Sequence, residues 1–524
     1  MKTFGHWLTS PWRRTTLAAL AGALPVLAFP APALWWWAYL ALVPWILLAR
    51  SAPTGRRAAY DGWAGGFGFM LAMHHWLLSD LHVFTLVLAA LLGGLWAPWG
   101  WLVRRFLAGA AQAPTRGRVL AALLVLPSAW LAVELVRSWQ GLGGPWGVLG
   151  ASQWQLAPAL RLASVGGVWL LSFLVVAVNV AAAVLIALPS SRMPAVAGLA
   201  ATAALASAAW AWAPRPGADG QTRIAVVQPG VIDGPDQRFD REEQLTRRLV
   251  GQDVDLIVWG ESSVGYDLAE RPDLARRVAG LARATGADVL VNVDARRSDR
   301  PGIYKSSILV GAGGPTGDRY DKMRLVPFGE YIPARSLLGW ATSVGKAAGE
   351  NRRRGTEQVL MGAGHGVRFG PMVCFETAFP DMSRHLVEKG ADLLVGQSST
   401  SSFQRSWAPA QHASLGALRA AETGRPFVHA TLTGDSAVYD ARGRRLGSWL
   451  GTDASTAAVY DVPLADGVTL YVRYGDWAVH AALLVLVAVG LAEGGRAVRL
   501  RRTAPAPLGP PARTVRESPA RPGR

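Results

Sequence analysis

"GVRFGPMVCFET", residues 366–377, is an apolar run that ends in a turn. Bounded by glycine and proline, it reads as a buried strand that leaves the core at Cys374 and Glu376. Cys374 is the only cysteine among 524 residues. A lone thiol makes no intramolecular disulfide, so it is either a small inert hydrophobe or a reactive group.

Working outward, other short apolar runs resemble it. "RIAVVQPGV" (223–231), "VDLIVWGES" (254–262), "ADVLVNV" (287–293), "SSILVGAGG" (306–314) and "ADLLVGQSS" (391–399) read as strands. "LARRVAGLARATG" (274–286) and "GALRAAETG" (416–424) have helical spacing and a glycine stop. Strands alternating with helices over 222–465 predict an α/β domain whose sheets are covered on both faces. In such folds chemistry gathers where strands end.

The rest of the chain is of another kind. The protein is 51% hydrophobic yet carries a formal charge of +17 and 23 tryptophans. A hydrocarbon core needs about 20 apolar residues per helix. The candidates are 15–30, 33–49, 62–80, 83–103, 118–136, 165–189, 193–213 and 476–494, about eight spans in all. Tryptophan at the ends of these runs is expected to form interfacial belts. Positive charge alternates between the loops: Lys2, Arg13 and Arg14 precede the first span, Arg50, Arg56 and Arg57 follow the second, and Arg104, Arg105, Arg116 and Arg118 follow the fourth. Arg192 follows the sixth, and Arg496, Arg499, Arg501 and Arg502 follow the last. The positive-inside rule then places both termini in the cytoplasm and residues 214–475 outside. This topology accounts for the basic charge, so nucleic acid is not expected as a partner. The organisation expected is a transmembrane domain over 1–213, an extracytoplasmic domain over 222–465, a transmembrane helix over 476–495 and a disordered, Pro- and Arg-rich cytoplasmic tail over 503–524.

Three side chains in the α/β region make joint chemical sense. Glu261 ends a strand; taken alone it is equally a solvated loop acid. Lys322 lies in "YDKMRLVPFGEYIP" (320–333), an aromatic and apolar stretch that suggests a shaped loop, with Glu330 as a second acid or an ion-pair partner. A thiol needs a neighbouring base or cation to become thiolate. A carboxylate can take that proton, and an ammonium can stabilise the negative charge that forms on an attacked carbonyl. These are the parts of an acyl-transfer site. The histidines show no zinc spacing and no phosphate-binding glycine loop is present, so neither metal nor cofactor is expected.

"VWGES", "YDKMRLVPFGEYIP" and "VCFE" resemble the three signature segments of the carbon–nitrogen hydrolase, or nitrilase, superfamily, which implies an αββα sandwich. The long Lys322 segment, the flanking spans and "AVELVRSWQGLGGPWGVLGASQ" (132–153) resemble its membrane branch, the apolipoprotein N-acyltransferases. The resemblance implies Glu261 as general base, Lys322 as oxyanion stabiliser and Cys374 as nucleophile. It implies Glu330 as an additional essential acid, with Phe375 and Glu376 as the aromatic and acid after the nucleophile. It implies a membrane phospholipid as acyl donor, diacylglyceryl-modified apolipoproteins as acceptors, and the bacterial plasma membrane as location. Two alternatives stand beside it: a membrane-tethered amidase or nitrilase acting on a small substrate, and a non-catalytic membrane scaffold for a glycolipid synthase. The sequence departs from the family's usual pattern at Gly260, where proline is usual, and at "GQSSTSSFQRSW" (396–407), which is expected to border the mouth of the site. Residues 334–356 are a candidate lid.

Overall fold

The computed structural model describes residues 10–108, 114–339 and 349–503. From residue 504 on, the expected tail lies outside them. Two six-stranded sheets form the centre of the C-terminal half. The strands are β1 Gly217–Gln228, β2 Leu256–Trp259, β3 Asp288–Arg296, β4 Ile303–Gly311, β5 Gly314–Asp321, β6 Met361–Gly362, β7 Arg368–Val373, β8 Leu393–Ser398, β9 Phe427–Thr431, β10 Ala437–Tyr439, β11 Arg445–Leu446 and β12 Thr456–Asp466. One sheet runs β12-β1-β2-β3-β4-β5 and the other β11-β10-β9-β8-β7-β6. In each, three central strands are parallel: β1, β2 and β3, and β7, β8 and β9.

The period of two in a strand explains the layers. Ile224, Val226, Leu256 and Val258 face Phe369, Val373, Leu393 and Val395 in one buried cluster between the sheets. Their alternates Ala225, Val227, Ile257 and Trp259 pack outward with the helices Pro235–Arg247 and Pro272–Thr285. Met372, Leu394, Phe427 and Tyr439 face outward from the second sheet, toward Pro380–Glu388 and Ala408–Thr423. The order of layers is helix, sheet, sheet, helix, the sandwich that the family resemblance implies.

Among the described residues, five helices are long and apolar enough to cross a membrane: Val83–Leu107, Arg116–Arg137, Ala157–Ala187, Pro189–Trp212 and Trp477–Arg496. The first three candidate spans take another form. Residues 15–30 are the end of helix Pro11–Ala23 and a 3-10 turn at Leu24–Ala28, and 33–49 is split into Trp35–Tyr39 and Val43–Arg50. Pro25, Pro30, Pro32 and Pro44 remove the amide donors a continuous helix requires. The third is the glycine-rich helix Gly55–Met73. It is tied to the first helix by Asp61, buried between Arg14 and Arg57, each 2.8 Å away.

Tryptophan is divided between two environments. Trp12, Trp139 and Trp212 are exposed, but Trp45, Trp96, Trp99 and Trp130 are buried at the centre of the helices. There they meet edge to face, with ring centroids 5.0–5.8 Å apart. Trp45 and Trp99 donate their indole N–H to the carbonyls of Asp61 and Leu126, and Trp130 donates to Glu134. Composition alone suggests interfacial belts; a satisfied N–H lets Trp45, Trp99 and Trp130 sit in the core instead, and Trp96 is held there by ring contacts, its N–H unpartnered among the described residues.

The apolar helices and the outer layer of the second sheet share one continuous cluster. The junction has a polar pin. Helix Ala157–Ala187 breaks at Gly166 and Gly167, the latter at φ +67, which favours glycine. At the break the Val168 N–H donates to Glu422 Oε1 over 2.7 Å, and Arg419 pairs with the same carboxylate at 2.8 Å. Burial, opposed by Arg419, pushes the Glu422 carboxyl up to about 7.

This raised value carries a pH dependence. The native state binds a proton at Glu422 more tightly than the unfolded state, so the contribution of this group to stability is full at low pH and is lost as pH rises from about 5 to about 7. The Glu422→Gln variant, which keeps an acceptor for Val168, should lose that slope, a difference of up to roughly 3 kcal/mol across the window. Thermal melts of wild type and variant between pH 5 and 8 measure it.

Candidate active site

The expected site residues come together at the ends of strands. Glu261 stands two residues past β2, Lys322 directly after β5 and Cys374 directly after β7. Lys322 Nζ lies 3.1 Å from Glu261 Oε1 and 2.8 Å from Glu330 Oε1. All three side chains are buried. The Cys374 thiol lies close enough to the Glu261 carboxylate for that charge to act on it, and 3.9 Å from the Ser399 carbonyl.

Backbone strain marks the same place. Ser262, Phe328 and Cys374 have φ of +58, +64 and +52. Such angles in non-glycine residues persist only where neighbours impose them. At Cys374 the neighbours are visible. Glu376 Oε2 accepts the Val373 N–H at 2.8 Å, and His412 Nε2 sits 2.9 Å from the Cys374 carbonyl. The second Glu376 oxygen accepts from Tyr320 Oη, Met323 N and Arg324 N at 2.8, 2.7 and 3.0 Å. Glu376 therefore fastens the turn bearing Cys374 to the segment bearing Lys322. Burial raises its carboxyl, against the hydrogen bonds that favour the anion.

Sequence reasoning missed two neighbours. Lys305, in β4, places Nζ 2.8 Å from Glu261 Oε1 and 3.2 Å from Glu330 Oε1. Its only sequence signal was scarcity, since the chain has five lysines. His412, on helix Ala408–Thr423, had no signal in its spacing. Burial lowers its imidazole to about 4, so it is neutral, with Nε2–H donating to Cys374 and Nδ1 3.2 Å from the Ser398 hydroxyl.

Electrostatics separates acid from thiol. Burial works to raise Glu261, but Lys305 and Lys322 outweigh it and hold the carboxyl at about 2. Burial and then the Glu261 charge push Cys374 up to about 12, while Lys322 and Lys305 pull it down. In the resting site the acid is ionised and the thiol keeps its proton.

The thiol opens into an apolar cavity of about 220 Å³. One wall comes from the apolar helices, with Met70, Leu81, Leu88, Ala89 and Leu92; another from the loop after helix Arg116–Arg137, with Leu142 and Trp146. Arg137 anchors that loop by donating to the Trp146 carbonyl at 2.6 Å. Phe328, Phe375, Ser399, Thr400 and Phe403 complete the lining. The divergent 396–407 segment thus borders the site as expected. Its Gln397 is buried and ties the sheets together, accepting from Ser307 and donating to the Trp259 carbonyl. Of the candidate lid, 340–348 lie outside the described residues, and Arg352 is engaged with Asp294 at 3.3 Å.

Gly260 has a steric reason. A Cβ there would lie 2.5 Å from Leu432 N and 2.7 Å from the Thr431 carbonyl carbon, both backbone atoms.

Known proteins are similar to this chain over most of its length. Residues 21–181 match the family model of the apolipoprotein N-acyltransferase N-terminal domain, and 223–469 match that of carbon-nitrogen hydrolase. An apolipoprotein N-acyltransferase of Geobacter metallireducens is 31% identical, with 91% of this chain and 95% of that protein aligned. One of Azotobacter vinelandii is 33% identical, with 96% and 99% aligned. An amidase crystal structure from Nesterenkonia sp. aligns over 51% of this chain and 97% of its own, at 20% identity and a TM-score of 0.36.

Substitutions at two positions test the supports of the site. Glu376→Ala leaves four donors without their acceptor and should cost on the order of 4 kcal/mol, read as a lowered melting temperature. Gly260→Ala should cost about 1–3 kcal/mol by overpacking against rigid backbone, and Gly260→Pro no less.

Proposed function

The chain belongs to the apolipoprotein N-acyltransferase family, and we propose that it performs acyl transfer to lipoproteins by a two-step reaction through a thioester on Cys374. The observation that carries this reading is the position of the thiol, at the end of an apolar cavity walled by the membrane-type helices and beside the Glu261–Lys322 pair.

In the first step Glu261 takes the thiol proton as sulfur attacks the ester carbonyl of a phospholipid acyl chain. The carbonyl π electrons move to oxygen, and the Lys322 ammonium stabilises that charge. The tetrahedral species collapses, the ester C–O bond breaks, and the proton held by Glu261 passes to the departing lysophospholipid oxygen. In the second step the free α-amine of a diacylglyceryl-cysteine attacks the thioester. Its proton goes to Glu261, the C–S bond breaks and Cys374 regains a proton. Such a sequence gives ping-pong kinetics.

The lowered Glu261 carboxyl and the raised Cys374 thiol together oppose free thiolate. Proton transfer and carbon–sulfur bond formation are therefore coupled, so the thiol is reactive when an acyl ester lies against it. The apolar cavity favours a lipid donor over a small polar amide, because each buried methylene contributes about 0.8 kcal/mol. Both lipids stay anchored in the bilayer, which fits a site between apolar helices and an α/β domain.

The same reading keeps about eight membrane spans over 1–213 and 476–495, both termini in the cytoplasm, and the catalytic domain over 222–465 on the outer face of the bacterial plasma membrane. Glu330, Phe375 and Glu376 act as supports of Glu261, Lys322 and Cys374.

Intact-protein mass spectrometry after incubation with phospholipid tests the reading. Wild type should gain one acyl chain, removed by hydroxylamine, and Cys374→Ala should gain none and lose transfer. Transfer by Cys374→Ala at the wild-type rate would overturn it. Lys322→Met should keep lipid binding and lose about 10²–10³ in kcat.

A further inference from the structure

Lys305 is used by no step above, yet it touches the carboxylate on which the reaction depends. Two of the chain's five lysines lie in one small cluster. They are cross-strand neighbours: Ser306 pairs with Asp321 in the β4–β5 ladder, and the next rung is the Lys322 N–H donating to the Lys305 carbonyl at 2.8 Å. Side chains on opposed residues share one face of a sheet, and like charges there repel. The pair is tolerated because two carboxylates lie between the ammonium groups. Glu261 Oε1 is 2.8 Å from Lys305 and 3.1 Å from Lys322; Glu330 Oε1 is 3.2 and 2.8 Å from them.

The consequence is a matter of orientation and of charge. Both ammonium groups occupy Oε1 of Glu261, so neither lysine holds Oε2. With Lys305 the four-membered cluster is neutral; without it, two carboxylates share one ammonium and the cluster is anionic beside a sulfur that must become negative.

We infer that Lys305 is a positioning residue for acyl transfer: its ammonium holds Oε1 of Glu261 and so fixes that carboxylate beside Cys374, and it balances the second acid, Glu330. The inference rests on the reading of Glu261 as base and Cys374 as nucleophile. Lys305 is the largest charge lowering the Glu261 carboxyl, and it also lowers the thiol. The charged and titratable groups around the cluster are Glu261, Glu330, Lys322, Cys374 and, at 3.7 Å from Lys305, Asp294, which Arg352 engages from the far side; neutral His412 lies behind Cys374.

The single cysteine makes the test clean. The rate of iodoacetamide alkylation of full-length protein in detergent is measured against pH for wild type, Lys305→Met and Lys305→Arg. Loss of a cation raises the thiol pKa, and each unit lowers the thiolate fraction tenfold at fixed pH. Lys305→Met should therefore react at least about tenfold more slowly than wild type at pH 8, and Lys305→Arg within about threefold of it. In kcat/KM the acid limb of Lys305→Met should move to higher pH, because Glu261 loses the charge that held it down. If Lys305→Met does not fold, Lys305→Gln takes its place in the same comparison. A wild-type alkylation profile in the neutral variant, or an arginine variant no faster than the neutral one, overturns the role of Lys305. Either result with Cys374→Ala inactive leaves the nucleophile standing; transfer by Cys374→Ala would instead remove the reading beneath both.

Discussion

A carboxylate buried at Glu261 is the constraint around which the α/β half is arranged. An ionised acid away from water must be paired, and a pair in a dry place must have its remaining donors and acceptors met. The protein meets this with strand ends. Lys322 comes from the end of the β4–β5 hairpin, Glu330 from the turn that follows, and both point into the space where β2 stops. Removing either partner leaves the buried cluster with an unbalanced charge, so the charges of the site are also part of its scaffold.

A second acid does for the backbone what Glu261 does for the chemistry. Glu376 takes no lysine; it takes one hydroxyl and three backbone N–H groups, from two segments distant in sequence. This lets Cys374 keep a left-handed backbone at the end of β7 and present sulfur to the cavity. His412 holds the carbonyl of the same residue from the helix that also carries Glu422. One helix therefore touches the nucleophile at its start and the kinked apolar helix at its end.

The legible parts of the fold are those written in local patterns. Apolar runs closed by glycine or proline gave the strands, and Glu261 and Cys374 were visible because each ends such a run. The grouping of Glu261, Lys322 and Cys374 came from a chemical argument and a family resemblance, since nothing local joins residues so far apart in the chain. Lys305 escaped because it sits inside a strand, where a lysine usually points to water; only the register with Lys322 shows that it points inward. Helix breaks escaped for a different reason. Hydropathy averages over a window, while Pro25 and Pro44, inside the first two candidate spans, act on single hydrogen bonds. Tryptophan misled in part because an indole is equally suited to an interface or to a core that offers its N–H an acceptor.

The cavity beside Cys374 has walls from the first long stretch of apolar helices, from the loop after Arg137 and from the α/β half. Its shape is thus owned jointly by segments that lie far apart along the gene. A graft of one half from a relative would bring a thiol from one lineage against a wall from another. Modular exchange, which serves many two-domain enzymes, is closed to this architecture unless the loop between Arg137 and Ala157 travels with its matching partner. Lineages of such a protein are bound to drift as a whole, each half tracking the changes of the other.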